Sequence, residues 1–403
     1  MGKHDVVVVG GGISGLAFAE SAAKAGRSVV VLEEAPQVGG CLATHRGPGG
    51  FWFELGAHTC YNSYAGLAGL LERCGLRGAV LPRARTHLRF LEGDRLVPGS
   101  NLGSLLRLFA WRELARSLPR AFTARKEGQT VYSYYASIVG RKNYARVLGP
   151  MLAAVPSQSA DAFPAAMLFK SRPLRRKDLP RSFTVERGLA TVAETIARQP
   201  GIELRTGTAV AAVEGGAGGP YAAVTAAGER VEGAVLAVAT PPAAAAALLR
   251  GCAPELSIQV ARVGQATVET LAFAAPSSKV DLPPSTFLVP RDDLFHSVVS
   301  RDPIPDREWR GFAFHFRPGL GRDVRMTRAL QVLRLRPGDV SDVVERRTVL
   351  PSPVLGHEQV VAEVDRLTAG TRLVVAGNWF AGLSIEDCVE RARGEWERVA
   401  AIA

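Results

Sequence analysis

Four consecutive valines, Val6 to Val9, run directly into the glycine-rich turn Gly10-Gly11-Gly12-Ile13-Ser14-Gly15 near the start of the 403-residue chain. An alanine-rich segment follows the turn as far as Gly26, and a second apolar run, Ser28 to Leu32, ends at Glu33. A buried strand, a GxGxxG turn, a helix and a second strand make up the first βαβ unit of a dinucleotide-binding sheet. The pattern therefore predicts an α/β fold built on a parallel sheet.

Each part of this turn has a physical role in binding a dinucleotide. The first glycine allows the tight turn, the second lets the backbone approach the pyrophosphate, and the third packs the helix on the strand. The N–H groups at the start of the helix then face the phosphates. A carboxylate at position 33 would accept hydrogen bonds from a ribose and repel a 2'-phosphate, so FAD or NAD is expected rather than NADP. The predicted contacts are Gly10, Gly12, Ile13, Ser14, Gly15, Glu33 and Glu34.

The composition is that of an ordinary globular protein, with 47% apolar and 22% charged residues. No apolar stretch is long enough for a transmembrane helix, and few residues precede the first strand, so we expect no cleavable signal and a cytoplasmic location. The cysteines are scattered without CxxC spacing, so neither a disulfide framework nor a metal site is predicted. They are Cys41, Cys60, Cys74, Cys252 and Cys388.

The net charge of +11 is concentrated in two basic segments. Between Leu105 and Lys126, apolar residues recur at helical spacing among arginines, and a second cluster runs from Lys170 to Arg181. Three interpretations stay open at this point: peripheral contact with an anionic membrane, a clamp for an acidic substrate, or a solvated helix face. Nucleic-acid binding is not expected, because no recognised nucleic-acid module accompanies the charge.

Segments typical of one nucleotide-binding domain are separated along the chain by two insertions. We predict a discontinuous FAD-binding domain from residues 1–82, 183–257 and 351–403. Residues 83–182 would form the helical part of a substrate-binding domain, and residues 258–350 its β-rich part. The predicted class is thus α/β, with a Rossmann-type FAD-binding domain interleaved with a mixed α+β substrate-binding domain. Because a simple NAD dehydrogenase has one contiguous Rossmann domain, the interleaving favours a flavoprotein.

Further motifs carry a resemblance to a known family. Gly39-Gly40 and Thr44 complete a GGxxxT pattern, and the string Phe53-Glu54-Leu55-Gly56-Ala57-His58 follows; near the other end stands Gly377-Asn378-Trp379-Phe380. In these motifs the chain resembles the superfamily of FAD-dependent amine oxidases, phytoene desaturases and protoporphyrinogen oxidases, which implies bound FAD. The resemblance adds these expected FAD contacts: Gly39, Gly40, Cys41, Gly56, Ala57, His58, Val210, Gly377, Asn378, Gly382, Leu383, Ser384 and Ile385.

Within that superfamily the details are most similar to protoporphyrinogen oxidases. Amine oxidases usually carry glutamate where this chain has Asn378, and the step from Pro351 to Gly356-His357 is similar to one in protoporphyrinogen oxidases. Cys41 departs from the pattern, because an arginine is usual after the double glycine. The alternatives are a carotenoid or terpenoid desaturase, an amine oxidase, or a non-redox flavoenzyme that resembles galactopyranose mutases.

The resemblance implies an enzyme that removes a hydride from a hydrophobic, conjugable substrate and passes electrons to oxygen or a quinone. His58 and Tyr135 are the candidates for a catalytic role, and no metal is expected. Of the other aromatic residues, Tyr132, Tyr134, Phe287, Phe295, Phe314 and Phe316 are expected in the core more often than in a pocket. Arg175, Arg176 and Arg317 are candidates for binding substrate carboxylates. Glu386 and Asp387 are expected to cap the last helix.

Overall fold

A seven-stranded sheet carries the valine strand in a computed structural model that describes residues 4–98, 103, 108–216 and 219–402. Its central strands run parallel, in the spatial order Ile202–Arg205, Val29–Leu32, His4–Val9 and Arg230–Val238. The last of these pairs with Leu373–Val375 through its second half and with the antiparallel strand Tyr221–Thr225 through its first half. Val210–Glu214 lies at the edge. Residues far apart in the chain thus build one sheet.

The run of valines is explained by helices on both faces of this sheet. Alternate side chains of a strand point to opposite faces, so a strand covered on both sides must be apolar throughout. Val6 and Val8 pack in one core with the helices Ile13–Lys24, Ala65–Arg73, Ala190–Ala197 and Ile385–Ala400. Val7 and Val9 pack in another with the helices Pro242–Leu249, Pro254–Ala261 and His357–Thr368.

A second seven-stranded sheet within the described residues combines strands from both predicted insertions. The spatial order is Ser341–Pro351, Gln265–Pro276, Trp309–Phe316, Phe295–Ser300, Ser285–Pro290, His87–Glu92 and Arg95–Pro98. Neighbours are antiparallel except for the fifth and sixth, which run parallel. The helix Arg322–Leu333, in a stretch predicted to be β-rich, packs its apolar side on this sheet. The predicted division into two domains stays a prediction.

Short elements connect the two sheets. The strands Thr44–Arg46 and Trp52–Glu54 form a small hairpin, and Phe53 of this hairpin packs against alanines of the second sheet. The strands Cys60–Tyr61, Ser182–Val185 and Val80–Pro82 form a three-stranded sheet.

The amphipathic stretch of the helical segment is interrupted within the described residues. The predicted amphipathic stretch starts at Leu105, which lies outside the described residues together with Leu106 and Arg107. The observed helix Trp111–Ser117 gives way to a 3-10 turn, Leu118–Phe122, because Pro119 has no N–H to continue the helical hydrogen bonds. Further along are the helices Val131–Val139, Arg141–Asn143 and Gly149–Ala154, with a π-helical turn at Tyr144–Leu148. Among the residues described, no helix is both long and apolar enough to cross a membrane.

Candidate functional site

The three glycines of the first motif are required for different reasons. Gly10 has a φ of +107°, and a Cβ there would lie 2.7 Å from the carbonyl oxygen of Ala239. A Cβ on Gly15 would lie 2.1 Å from the carbonyl oxygen of Gly10, so only glycine lets the helix approach the strand. A Cβ on Gly12, in contrast, meets nothing within 4 Å. The packing of the protein therefore requires Gly10 and Gly15, whereas Gly12 borders open space in which a ligand fits.

The helix that follows presents its N-terminus to this open space. Gly12 is its N-cap, no side chain caps it, and its first turn contains no acidic residue. The first N–H groups of a helix have no intrahelical partner and carry partial positive charge, which favours an anion. The turn and the helix start thus fit the pyrophosphate of a dinucleotide.

Two backbone N–H groups bind the carboxylate of Glu33, one at each oxygen. Its Oε2 accepts the N–H of Gly11 at 2.6 Å, and its Oε1 accepts the N–H of Ala35 at 2.9 Å. A carboxylate has about four acceptor positions, so two bonds fix its orientation and leave capacity for ribose hydroxyl groups. The N–H of Thr208 donates to the carbonyl oxygen of Glu33 at 2.8 Å, which brings the strand that begins at Val210 alongside. Glu34 is exposed beside it.

The second glycine pair joins three other predicted segments. The N–H of Gly39 donates to the carbonyl oxygen of Gly11 at 2.8 Å, and Gly12 and Gly39 form a parallel β-bridge. The N–H of Ala57 donates to the carbonyl oxygen of Cys41 at 2.9 Å, which places Gly56 against Cys41. The amide nitrogen of Asn378 lies 3.9 Å from the Cys41 sulfur. The structure thus brings together residues that are more than three hundred positions apart.

The start of the last helix is capped as predicted by Asp387, in a capping box with Ser384. The Ser384 hydroxyl accepts the N–H of Asp387 at 3.1 Å. Arg172 donates to the Ser384 hydroxyl at 3.0 Å and to the Asp387 carboxylate at 2.9 Å, and Lys170 reaches the same carboxylate. Burial alone would raise the pKa of Asp387, but the Ser384 hydrogen bond and the two cations hold it below its ordinary value. Two cations of the second basic segment therefore bind the N-terminus of the last helix.

Glu386 does not cap its own helix, contrary to the prediction. Its carboxylate accepts the N–H groups of Gly66 and Leu67, each at 2.9 Å, at the start of the helix Ala65–Arg73. It is buried and stabilises a different helix N-terminus, because the packing of the two helices brings that terminus within reach.

His58 lies beside an aromatic residue of the second sheet. Its Nδ1 lies 3.2 Å from the carbonyl oxygen of Gly56, and its ring meets Phe287 edge to face with 5.1 Å between centroids. Burial lowers the pKa of His58 to about 3, and the positive charge of Arg83 contributes. The imidazole is therefore neutral at physiological pH. The other three candidate phenylalanines, Phe295, Phe314 and Phe316, are fully buried in the core of the second sheet.

Tyr135 belongs to an apolar cluster that reaches the C-terminal motif. The buried core of the helical segment is contacted by four partly buried residues, Tyr135, Val139, Leu148 and Leu383. Burial raises the pKa of Tyr135, so its hydroxyl stays protonated. Tyr134 meets Tyr135 edge to face, whereas Tyr132 is exposed. The cluster thus connects the helical segment to a residue of the predicted FAD site.

The structure does not bring the three candidate arginines together. Arg176 is bound to Asp178 at 2.8 Å and to Glu72, on the surface. Arg175 lies 3.4 Å from the side-chain oxygen of Asn62. Arg317 is near His296, whose pKa is lowered to about 4 by burial and by the charge of Arg317.

The buried carboxyl group of Glu54 was not among the predicted site residues. Glu54 is 8% exposed and accepts hydrogen bonds from the N–H of Leu189 at 2.8 Å and from the Thr44 hydroxyl at 2.6 Å. Burial raises the pKa of Glu54 to about 7, although both hydrogen bonds oppose the shift. Arg83 donates to the carbonyl oxygen of His58 at 2.7 Å. A charged residue within the apolar string Phe51 to Leu55 was the sequence signal for such a group.

Comparison with known proteins identifies one family. Residues 13–263 match the sequence model of the family described as flavin containing amine oxidoreductase. That stretch is more than half of the chain and includes the end of the glycine turn from Ile13 to Gly15, Glu33 and the second glycine pair.

Curated relatives match over short stretches. A probable zeta-carotene desaturase of Synechococcus elongatus is 35% identical over 91 residues, which are 23% of this chain and 19% of the relative. The human all-trans-retinol 13,14-reductase is 50% identical over 56 residues, 14% of this chain and 9% of the relative. The 3-oxosteroid 1-dehydrogenase of Mycolicibacterium smegmatis is 35% identical over 104 residues, 26% of this chain and 16% of the relative. The chain thus matches less than a fifth of the length of each of these relatives.

Solved structures share the fold over nearly the whole chain. A candidate protoporphyrinogen oxidase from Exiguobacterium sp. 255-15 superposes with a TM-score of 0.80 at 20% identity, covering 99% of both chains. Putrescine oxidase gives 0.71 at 17% identity, covering 99% of both chains, and reduced UDP-galactopyranose mutase gives 0.74 at 14% identity, covering 99% of this chain and 96% of the other. At these identities the similarity concerns the fold, and it confirms the predicted α/β class with a Rossmann-type FAD-binding part.

Proposed function

Because the chain belongs to the flavin containing amine oxidoreductase family and is thus an FAD-dependent oxidoreductase, we propose that it removes a hydride from a hydrophobic, conjugable substrate, most like a protoporphyrinogen oxidase. When bound, the flavin supplies the hydride acceptor. The chain's own part is to hold FAD and to orient the substrate in surroundings that exclude water. The residues proposed to hold FAD are the glycine turn with Ile13 and Ser14, Glu33, Glu34, Gly39 to Cys41, Gly56 to His58, Val210, Gly377, Asn378 and Gly382 to Ile385.

The observation that carries this proposal is that Leu383 and Tyr135 pack against the same apolar cluster. Leu383 belongs to the proposed FAD segment, and Tyr135, Val139 and Leu148 pack on the same cluster. An apolar wall beside the cofactor suits a substrate that is itself apolar and conjugated, since burying apolar surface contributes about 25 cal/mol per Å². Tyr135 is the proposed substrate-contacting residue of the helical segment.

His58 is proposed to line the substrate site together with Phe287, which its ring contacts edge to face. With a pKa of about 3, its imidazole is uncharged near neutral pH, so it is a weak base and is not an imidazolium acid. Its role is then to shape the pocket, since a general acid or base works best with a pKa near the working pH. This suits hydride removal, in which the protein mainly orients substrate and cofactor.

Two findings favour a protoporphyrinogen-type substrate within the family. Asn378 stands where amine oxidases usually carry glutamate, and its side chain approaches Cys41 beside the second glycine pair. The candidate protoporphyrinogen oxidase also superposes with a TM-score of 0.80, higher than the 0.71 of putrescine oxidase. Oxygen or a quinone would take the electrons.

The test is anaerobic reduction of the purified flavoprotein by a panel of substrates. We expect a porphyrinogen to bleach the visible flavin absorbance, and a Tyr135→Ala variant to bleach more slowly than a Tyr132→Ala variant. Tyr132 lies on the same helix but is 40% exposed, which makes it the matched control. Bleaching by a primary amine and not by a porphyrinogen would refute the substrate class. Reoxidation of the bleached enzyme by air or by a quinone then identifies the acceptor.

The second candidate is a carotenoid or terpenoid desaturase, favoured by the 35% identity with the zeta-carotene desaturase over 91 residues. In the same assay a polyene would then bleach the flavin and a porphyrinogen would not. If no member of the panel bleaches it and the dithionite-reduced protein binds a nucleotide sugar, a mutase-type activity is supported instead.

We also propose that the helical segment makes a peripheral contact with an anionic membrane. Phe122 is 88% exposed and Phe169 62%, and Lys126 donates to the carbonyl oxygen of Phe169, so the two aromatics belong to neighbouring stretches of chain. Phe169 has a φ of +53°, which is strained for a bulky residue. Exposed aromatics among arginines suit a surface with anionic lipid headgroups. The arginines are Arg112, Arg116, Arg120 and Arg125.

Sedimentation with liposomes tests the membrane contact. We expect binding to vesicles that contain phosphatidylserine, weakened by salt, and weaker binding by Phe122→Ser. Ile258→Ser is the control, because Ile258 is equally apolar and 62% exposed but lies on another helix. Equal binding by both variants, or none by the wild type at low salt, would rule this contact out.

A further inference from the structure

An arginine of the second sheet reaches the nucleotide-binding turns. Arg346 lies in the strand Ser341–Pro351, opposite Thr270 of the neighbouring strand. Its Nη2 donates a hydrogen bond of 2.7 Å to the carbonyl oxygen of Gly40. A side chain from the second sheet thus contacts the backbone of the glycine pair that lies beside the nucleotide-binding turn.

Gly40 stands directly beside the open space at Gly12. A Cβ on Gly40 would lie 3.3 Å from the Cα of Gly12, and the adjacent Gly39 forms the β-bridge with Gly12. The guanidinium of Arg346 therefore binds Gly40, and Gly40 lies against Gly12, the N-cap of the helix proposed to face the phosphates. The planar guanidinium carries five N–H donors, so its bond to Gly40 leaves others available.

The helix N-terminus at the glycine turn offers only a small positive charge to a pyrophosphate. The helix N-terminus contributes roughly half a positive charge, whereas a pyrophosphate carries a full negative charge on each phosphate. Position 41, directly after the glycine pair, is a cysteine and brings no cationic side chain of its own. Burial raises the pKa of the Cys41 thiol, and the positive charge of Arg346 partly opposes this rise. The guanidinium therefore lies close to position 41.

We propose that Arg346 binds the FAD pyrophosphate and supplies, from the second sheet, the cation that position 41 lacks. Arginine suits this role because its planar fork matches phosphate oxygens. Bound FAD would then tie the two sheets together, since Arg346 stands on one and the glycine turns on the other. The proposal rests on the FAD assignment and is independent of the substrate.

Equilibrium binding of FAD to the apoprotein tests it without any substrate. The flavin is removed, and FAD is titrated back while its fluorescence is followed. We expect Arg346→Gln to raise the Kd by roughly 10- to 100-fold, the effect of losing a hydrogen bond to a charged group. Its Kd should also depend less on salt than that of the wild type, because one cation fewer faces the phosphates. Arg346→Lys, which keeps the charge, should fall between the two.

Arg347→Gln is the matched control, because it removes the same charge from the next residue of the strand, which is exposed and points to the opposite face. We expect it to bind FAD like the wild type. Adding Cys41→Arg to Arg346→Gln should restore the affinity. Wild-type FAD affinity in both Arg346 variants, equal losses in Arg346→Gln and Arg347→Gln, or no recovery with Cys41→Arg would overturn the proposal. Thermal melting of the apoproteins separates misfolding from lost binding, and bleaching by substrates tests the proposed function separately.

Discussion

Replacing Gly12 with alanine should weaken FAD binding without weakening the fold. The residue has φ −73° and ψ 171°, which alanine adopts readily, and its Cβ would meet nothing within 4 Å. Alanine gains about 0.4–1 kcal/mol by restricting the unfolded chain, and it loses a similar amount as a poorer N-cap than glycine. The free energy of unfolding of the apoprotein should therefore stay within about 1 kcal/mol of the wild type.

The methyl group would occupy the space that the pyrophosphate needs. A phosphate oxygen must come within about 2.9 Å of a backbone nitrogen to accept its hydrogen. If one such bond is lost, at about 1.5–3 kcal/mol for a hydrogen bond to a charged group, the Kd of FAD rises by at least about 10-fold. At an FAD concentration about 100 times the wild-type Kd, stabilisation of the wild type by FAD is about 2.7 kcal/mol. A 10-fold weaker variant would keep about half of it.

The assay is chemical denaturation of the apoprotein, repeated with saturating FAD. Gly15→Ala is the contrasting variant, because its Cβ would lie 2.1 Å from the carbonyl oxygen of Gly10. It should destabilise the apoprotein itself by about 1–3 kcal/mol through overpacking. If Gly12→Ala binds FAD with the wild-type Kd, or if its apoprotein is as unstable as that of Gly15→Ala, the open space beside Gly12 is not the phosphate site.

Three further outcomes follow from the same structure. Glu54 has a pKa of about 7 in the folded protein and an ordinary value of 4.5, so folding favours its neutral form. Its contribution to the free energy of unfolding is fully present below about pH 4.5 and is lost as the pH rises through about 7. Glu54→Gln should therefore gain stability relative to the wild type by about 2–3 kcal/mol between those pH values in urea unfolding, and a constant difference would contradict the pKa. Ser384→Ala should lower the free energy of unfolding by about 0.5–2 kcal/mol through the lost cap, and an unchanged value would show that the capping box contributes nothing. Since His58 stays neutral above a pKa of about 3, His58→Gln should leave the shape of the pH–rate profile between about pH 5 and 8 unaltered, and a lost inflection there would show that its imidazole titrates.

Much of the nucleotide-binding sheet and its turns can be predicted from local sequence patterns. Val6 to Val9 are apolar on both faces because helices cover both sides of the strand, and this is visible as an unbroken run. Gly10 and Gly15 are glycines because backbone atoms approach within the same βαβ unit or the next strand. The capping of the last helix by Asp387 involves residues three apart, so short-range chemistry predicts it.

Contacts across the fold were harder to predict. Glu386 follows the pattern of a helix-capping acid, yet it binds the N-terminus of another helix some 320 residues away. The helical spacing between Leu105 and Phe122 does not give the ends of the helix Trp111–Ser117, which is followed by a 3-10 turn at Pro119. Glu54 has its hydrogen-bond donors on two separate segments, and its pKa follows from burial that no local pattern reports.

The sequence by itself determined the class of the fold, because a strand, a glycine turn and an acidic residue after the second strand lie within one continuous βαβ unit. The interleaved segments and the family resemblance then pointed to FAD as the cofactor. Only the tertiary structure decided which distant side chains surround that unit. It placed Leu383 on the cluster of Tyr135, and it brought Arg346 to Gly40 from a strand about three hundred residues further along the chain. The physical reason is that backbone conformation depends on neighbours in sequence, whereas burial, charge and hydrogen bonding in a site depend on neighbours in space.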